Sequence, residues 1–250
     1  MTARHFLVIG AQRCGTTWLH DRLAAHPGIA MARPGRPEPK VFLDTEPPSA
    51  DEYRARFFAH AGEGDLLGEK STSYLESPAA PDAVAATLGA PRIVVQLRDP
   101  VVRALSNWSF SRDHGLEQRP LARALRESLA GASPWDPTVS SVNPFAYLER
   151  GRYADDLTRW WGRFPVHVQF LEEQVADPTL LGALLTWLGV DPDAAPCSAP
   201  DPVNASSAVD EELDPGLVAE LRAFFADSDA ALADLLGRDL PWPTTSGARP

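Results

Sequence analysis

Two cysteines in 250 residues, Cys14 and Cys197, are too few for a disulfide framework, so nothing in the chain points to an oxidising compartment. No apolar stretch approaches the ~20 residues that a membrane-spanning helix needs. The N-terminal run Phe6-Leu7-Val8-Ile9 is too short for the apolar part of a signal peptide and leads straight into a glycine loop, so a cytoplasmic location is expected. The six histidines show no metal-ligand spacing, and neither H-E-x-x-H nor a cysteine pair occurs, so no metal is expected. Internal repeats and low-complexity tracts are also missing. Positive charge is short as well, with 23 Lys and Arg against 34 Asp and Glu and a net charge of −11. Such an acidic chain disfavours general binding to nucleic acid or to an anionic membrane.

The charge that is present is unevenly spread. Residues 1–40 hold six bases (Arg4, Arg13, Arg22, Arg33, Arg36, Lys40) against two acids, whereas residues 201–240 hold ten acids against Arg222 and Arg238. A basic N-terminal segment in an acidic protein suits a small anionic ligand. At 44% hydrophobic, the chain can bury a large core. We expect one domain over residues 1–243 and a frayed tail over 244–250.

Apolar runs rich in β-branched residues at 5–9, 65–68, 92–97 and 166–171 predict buried strands. Helical patterns lie between them, at 16–26, 51–60, 81–88, 100–113, 119–129, 154–161 and 179–188. Strands alternating with helices predict an α/β fold with a central, mainly parallel sheet flanked by helices. A proline-rich break at 194–202 is followed by a predicted C-terminal helical hairpin, 215–226 and 230–236. The long irregular segments 32–39 and 133–144 are candidate lids or walls of a substrate site.

The segment from His5 to Leu19 reads strand, glycine loop, helix. Gly10 and Gly15 let backbone amides curl around an anion, and the following helix aims its positive end at the same place. Gln12, Arg13, Cys14, Thr16, Thr17 and Trp18 complete this P-loop-like phosphate loop, with Arg13 supplying charge and the threonines hydroxyl donors. A nucleoside-triphosphate loop carries lysine directly after its second glycine. Here that position is Thr16, and the cation stands two residues before Gly15. A magnesium-bound triphosphate also wants an acid at a nearby strand end, and Asp99, between Arg98 and Pro100, is a poor substitute. A second anion site is predicted where the 92–97 strand ends in Arg98 and a helix starts at Pro100, with Ser106 on that helix able to converge on the same group.

Gly10-Ala11-Gln12-Arg13-Cys14-Gly15-Thr16-Thr17-Trp18-Leu19 closely resembles the 5′-phosphosulfate loop of sulfotransferases that use 3′-phosphoadenosine 5′-phosphosulfate (PAPS). Arg98-Asp99-Pro100-Val101-Val102-Arg103-Ala104-Leu105-Ser106 is similar to that family's 3′-phosphate motif. The resemblance runs over nearly the whole chain and is of the Golgi and bacterial carbohydrate-sulfotransferase type, so the chain is read as a bacterial member. It implies PAPS as donor, with Arg13 at the 5′-phosphate and Arg98 and Ser106 at the 3′-phosphate. Pro37-Glu38-Pro39-Lys40-Val41-Phe42-Leu43 resembles the segment carrying the family's general base, which makes Glu38 the base. Lys40 stands near the point where the family prefers histidine. Gly68-Glu69-Lys70-Ser71-Thr72-Ser73-Tyr74-Leu75 looks like the family's G-E-K-S-x-x-Y-L stretch and puts Lys70 at the sulfate or acceptor.

Gly151-Arg152-Tyr153, with Leu157, Arg159 and Trp160, matches a further segment, read mainly as core. Many relatives carry a basic lid before the C-terminal helices, whereas here 203–212 is acidic and only Asn204 is offered as a cap over the nucleotide. His114 is an alternative base. The acidic balance favours a small molecule, lipid or simple glycoside as acceptor over a polyanion. Two other readings stay open, a kinase-like P-loop phosphotransferase and a non-catalytic PAPS-binding module.

Overall fold

The computed structural model describes residues 4–136, 138, 142–194 and 213–244. Its elements in chain order are β1 (His5–Gly10), α1 (Thr16–Ala24), β2 (Ile29–Met31), α2 (Ala50–Phe57), β3 (Leu66–Lys70), α3 (Ala80–Leu88), β4 (Arg92–Leu97), α4 (Pro100–Asp113), α5 (Leu121–Leu129), α6 (Tyr153–Leu157), β5 (Val166–Phe170), α7 (Leu171–Ala176), α8 (Leu180–Leu188) and α9 (Pro215–Leu236). The chain divides into two compact units, Met1–Leu97 with Asp156–Val203, and Arg98–Asp155 with Asn204–Pro250.

The first unit carries a five-stranded sheet in the order β2-β3-β1-β4-β5, parallel throughout. Strand alternation sends Phe6 and Val8 to one face, where Leu19 and Leu23 of α1 and Leu184, Leu185 and Leu188 of α8 cover them. Each such side chain contributes about 1.5–3 kcal/mol when fully buried. Gly68 is required on this face, because a Cβ there would sit 2.3 Å from the Phe6 ring. A separate aromatic group packs Phe42 against Tyr53 and Tyr74, with ring centroids 5.3 and 5.5 Å apart. Because β3 lies on one side of β1 and β4 on the other, the chain reverses direction across the sheet at β1. The loop after β1 therefore opens at the switch point where α/β sheets bind ligands.

The second unit is helical. Val101, Ala104 and Trp108 of α4, Leu121 and Leu125 of α5, and Leu217, Leu221 and Phe225 of α9 form its core. Asp99 caps α4, accepting from the amides of Val101 (2.8 Å) and Val102 (3.4 Å), and it also takes a two-pronged ion pair from Arg222 of α9 (2.8 and 2.6 Å).

The expected α/β class with a parallel sheet is what the protein has, and α4 carries the bounds read from sequence. The C-terminal hairpin is corrected: residues 215–236 form one 22-residue helix. Its apolar stripe Leu217, Leu221, Phe225, Leu232 continues through the expected turn, where Ser228 and Asp229 are buried instead of exposed. The sheet gains the short strand β2, and β3 runs on to Lys70. Leu171 starts α7 instead of ending β5, and α6 stops at Leu157. Asn204, the 203–212 segment, Cys197 and residues 245–250 lie outside the described residues.

Candidate functional site

In the first unit, three features meet at the carboxyl edge of the sheet: the loop after β1, a run of buried glutamines, and a pair formed by Glu38 and Lys70. The loop after β1 turns on two left-handed residues, Arg13 (φ 67°) and Gly15 (φ 76°). Positive φ is natural for glycine and strained for arginine, and strain of this kind concentrates at ligand sites. At Gly15 a Cβ would also fall 2.8 Å from Leu171 Cδ1 and 2.9 Å from Gln96 Nε2, so glycine is required twice over. Gly15 is the N-cap of α1, no side chain caps the helix, and its first turn holds no acid. The first-turn amides have no partner inside the helix, and the helix dipole favours an anion there.

Within the loop, the Ala11 amide donates to Gln96 O (2.8 Å) and the Cys14 amide to Ala11 O (3.3 Å). Cys14, one of the expected donor contacts, is buried, and its carbonyl accepts from Gln96 Nε2 (2.6 Å). These groups shape the loop from inside. Gln12 Nε2 donates to Ser73 Oγ (3.1 Å), tying the loop to the segment after β3. Thr16 is buried and Thr17 half-buried. Trp18 packs on the core beneath α1, with the Arg22 guanidinium 5.4 Å from its ring centroid.

Beneath the loop runs a buried amide relay that sequence reading missed. Gln174 Nε2 donates to Gln169 Oε1 (3.4 Å), Gln169 Nε2 to Gln96 Oε1 (2.7 Å), and Gln96 Nε2 to the Cys14 carbonyl. All three glutamines are buried, so each unmade bond would leave an unsatisfied polar group costing about 1–3 kcal/mol. The only sequence sign was polar residues at inward positions of β4 and β5.

Lys70 ends β3, in register with Val8 of β1. Its Nζ donates to Glu38 Oε1 at 2.7 Å, and Glu38 Oε2 accepts from the Thr72 amide at 3.0 Å. Thr72 Oγ1 reaches both carboxylate oxygens at 3.1–3.2 Å. The pair is mostly shielded, with Lys70 7% and Glu38 17% exposed. Two residues named separately from sequence thus form one ion pair. Lys40 takes a left-handed φ of 55°, and its amide donates to Ser71 Oγ (3.0 Å). Lys40 and Lys70 are the chain's only lysines, and both stand in this cluster.

A cavity of about 330 Å3 runs along β2, lined by His20 and Ala24 of α1, by Met31 and Arg33, and by His60 and Asp65 before β3; Glu38 and Lys70 do not line it. His20 Nδ1 is 2.9 Å from Asp21 Oδ1.

In the second unit, Arg98 directly precedes the α4 cap, and its carbonyl accepts from Tyr153 Oη (2.8 Å). Ser106 lies about 9 Å along α4 from Pro100 and is half-buried. His114 sits a further eight residues on, at the exposed C-cap, with Nδ1 on the Phe110 carbonyl (2.8 Å). That position is about 12 Å from Ser106 along the helix, which removes His114 from the neighbourhood of Arg98 and Ser106.

No family model matches the chain. It is 30% identical over 199 residues to the human bifunctional heparan sulfate N-deacetylase/N-sulfotransferase 3, a match covering 75% of this chain and 22% of that protein. The chain thus spans about a fifth of the length of the curated relatives it matches. Among solved structures, a sulfotransferase from Alicyclobacillus acidocaldarius is 26% identical with a TM-score of 0.75, covering 96% of this chain and 98% of that one. A mouse sulfotransferase complexed with PAP shares the fold at 16% identity and a TM-score of 0.50, over 93% of this chain and 66% of that one.

Proposed function

We propose that the chain, similar to sulfotransferases in sequence and fold, is a PAPS-dependent sulfotransferase that transfers the sulfuryl group of PAPS to a hydroxyl of a small acceptor in one in-line step. The carrying observation is the Glu38–Lys70 ion pair (2.7 Å) at the same sheet edge as the strained anion loop. In the transfer, the acceptor oxygen forms a bond to sulfur as the bond from sulfur to the bridging 5′-phosphate oxygen breaks. The acceptor proton passes to Glu38, and the electrons of the broken bond leave on 3′-phosphoadenosine 5′-phosphate (PAP).

The cluster fits each part of that step. Lys70 and the Thr72 amide fix the Glu38 carboxylate in direction, a geometric condition for a general base. When Glu38 takes the proton its hold on Lys70 weakens, and the ammonium can turn to the negative charge growing on the leaving oxygen. Arg13 and the α1 amides bind the 5′-phosphate. Arg98 and Ser106 bind the 3′-phosphate, and Gly10, Gln12, Thr16, Thr17 and Trp18 shape the first of these two sites.

A triphosphate enzyme is disfavoured by the same geometry. Thr16 stands where a lysine is needed, and the Asp99 carboxylate is engaged by Arg222 and two α4 amides.

A small acceptor is supported by the net charge of −11, which disfavours a polyanion. Among the described residues no helix is long and apolar enough to cross a membrane, and the scarcity of cysteine supports a cytoplasmic enzyme. Calorimetry with PAP and with magnesium-ATP tests the donor reading. PAP is expected to bind at least tenfold more tightly, and preferential magnesium-ATP binding would overturn the reading.

A further inference from the structure

Glu69, the residue before Lys70, is 1% exposed. Its carboxyl group is met by three hydroxyls: Tyr53 Oη donates to Oε2 at 2.5 Å, while Ser71 Oγ and Tyr74 Oη donate to Oε1 at 2.6 and 2.7 Å. Two of these hydroxyls also accept from backbone. The Lys40 amide donates to Ser71 Oγ (3.0 Å), and the Phe42 amide to Tyr74 Oη (3.3 Å). A hydroxyl has one proton, so once its lone pair receives an amide N–H the proton is directed to the carboxylate. Two polarised chains result, each running amide to hydroxyl to Glu69, and both begin in the short segment that follows Glu38. The Tyr53 hydroxyl bonds Glu69 alone and makes no bond to that segment.

We infer that Glu69 is a positioning residue for Glu38. Through Ser71 and Tyr74 it fixes the backbone of Lys40 and Phe42, and so the carboxylate two residues upstream of Lys40. The left-handed Lys40 is where this matters most, since an unsupported lysine would leave that conformation at little cost. Burial pushes Glu69 above the usual carboxylate range, against the three hydroxyls and with the charge of Glu38 adding to it. A fold that retains a carboxylate in such a place needs it as an acceptor. The inference rests on Glu38 being the base.

The test compares two chemically equal losses, Tyr74→Phe and Tyr53→Phe, each removing one buried hydroxyl from the same carboxylate and keeping the ring. In Tyr74→Phe the Phe42 amide is expected to lose hydrogen-exchange protection, and turnover to fall roughly tenfold or more with PAP affinity unchanged. Ser71→Ala does the same at the Lys40 amide. Tyr53→Phe is expected to leave both readouts near wild type. Glu69→Gln, which can keep an oxygen facing Ser71 and Tyr74, restores most of the turnover lost in Glu69→Ala. Equal loss of turnover in the two tyrosine variants, or an unchanged Phe42 amide in Tyr74→Phe, overturns the inference. Glu38→Gln, assayed alongside, separates the two claims. If it turns over like wild type, the base assignment falls and the inference with it. If it is inactive while Tyr74→Phe keeps full turnover, only the positioning inference falls.

Discussion

Replacing Gly15 by alanine perturbs the anion loop at one atom, and its cost can be worked from two separable contributions. The first is conformational: at φ 76° and ψ 15° an alanine pays about 1–2 kcal/mol for the left-handed backbone. The second is steric: the new Cβ meets Leu171 Cδ1 at 2.8 Å and Gln96 Nε2 at 2.9 Å. Overpacking of this kind costs typically ~1–3 kcal/mol. Gln96 is held between Gln169 and the Cys14 carbonyl and can yield only by stretching the 2.6 Å bond that supports the loop. Gly237, the C-cap of α9, supplies the control, since it has φ 64° and ψ 27° with nothing within 4 Å of an added Cβ. Gly237→Ala is therefore expected to lose only the conformational part, about 1–2 kcal/mol, and to bind PAP normally. Gly15→Ala is expected to lose about 2–5 kcal/mol in urea unfolding and at least tenfold in PAP affinity by calorimetry. Equal stability losses in the two variants, or unaltered PAP binding by Gly15→Ala, would refute the claim that this loop is sterically set for an anion.

Other perturbations follow from the same contacts. Lys70→Met leaves the largely shielded Glu38 without its cation and is expected to lower turnover about a hundredfold, with PAP affinity nearly unchanged if Lys70 acts on the transition state. Steady-state kinetics beside calorimetry checks this. Arg98→Ala should weaken PAP roughly a hundredfold while leaving adenosine 5′-phosphate, which lacks the 3′-phosphate, unaffected; Arg13→Ala should weaken both. Burial pushes Asp229 up to about 6, with the Trp242 indole N–H and Arg222 opposing the shift and Asp99 reinforcing it. Its folded pKa lies above the unfolded value, so its stabilising contribution is present below about pH 4 and is lost as pH rises through 6. Asp229→Asn is accordingly expected to raise the unfolding free energy at pH 7.5 by about 1–2 kcal/mol and to have no such effect near pH 4; a pH-independent difference in urea titrations would contradict the assignment.

What was legible in the sequence follows from how local each signal is. The Gly10–Gly15 spacing and the apolar run before it announce strand, loop and helix without tertiary information. Asp99-Pro100 places the start of α4, because an N-cap and a first-turn proline are local devices. The strand β2 has three residues just beyond Pro27-Gly28 and draws its order from pairing with β3, which no short window displays. Asp227-Ser228-Asp229 looks like a break in α9, yet Asp229 accepts the Trp242 indole N–H (3.2 Å) and the helix continues through it. Gln96, Gln169 and Gln174 look like surface residues until the sheet brings them into line. Glu38 and Lys70 were both named, but their pairing depends on the 32–39 segment lying alongside the end of β3. Glu69 offered no sign of burial, because its partners are 16, 2 and 5 residues away and act only when folded.

The proposed reaction is sulfuryl transfer from PAPS with Glu38 as the base. It is tested most directly by incubating wild type and Glu38→Gln with sulfur-labelled PAPS and a panel of small alcohols and glycosides, and following label transfer in both. Labelled acceptor is expected with wild type, with a loss of about a hundredfold or more in Glu38→Gln and equal PAP affinity in the two proteins. Transfer by Glu38→Gln at the wild-type rate would contradict it.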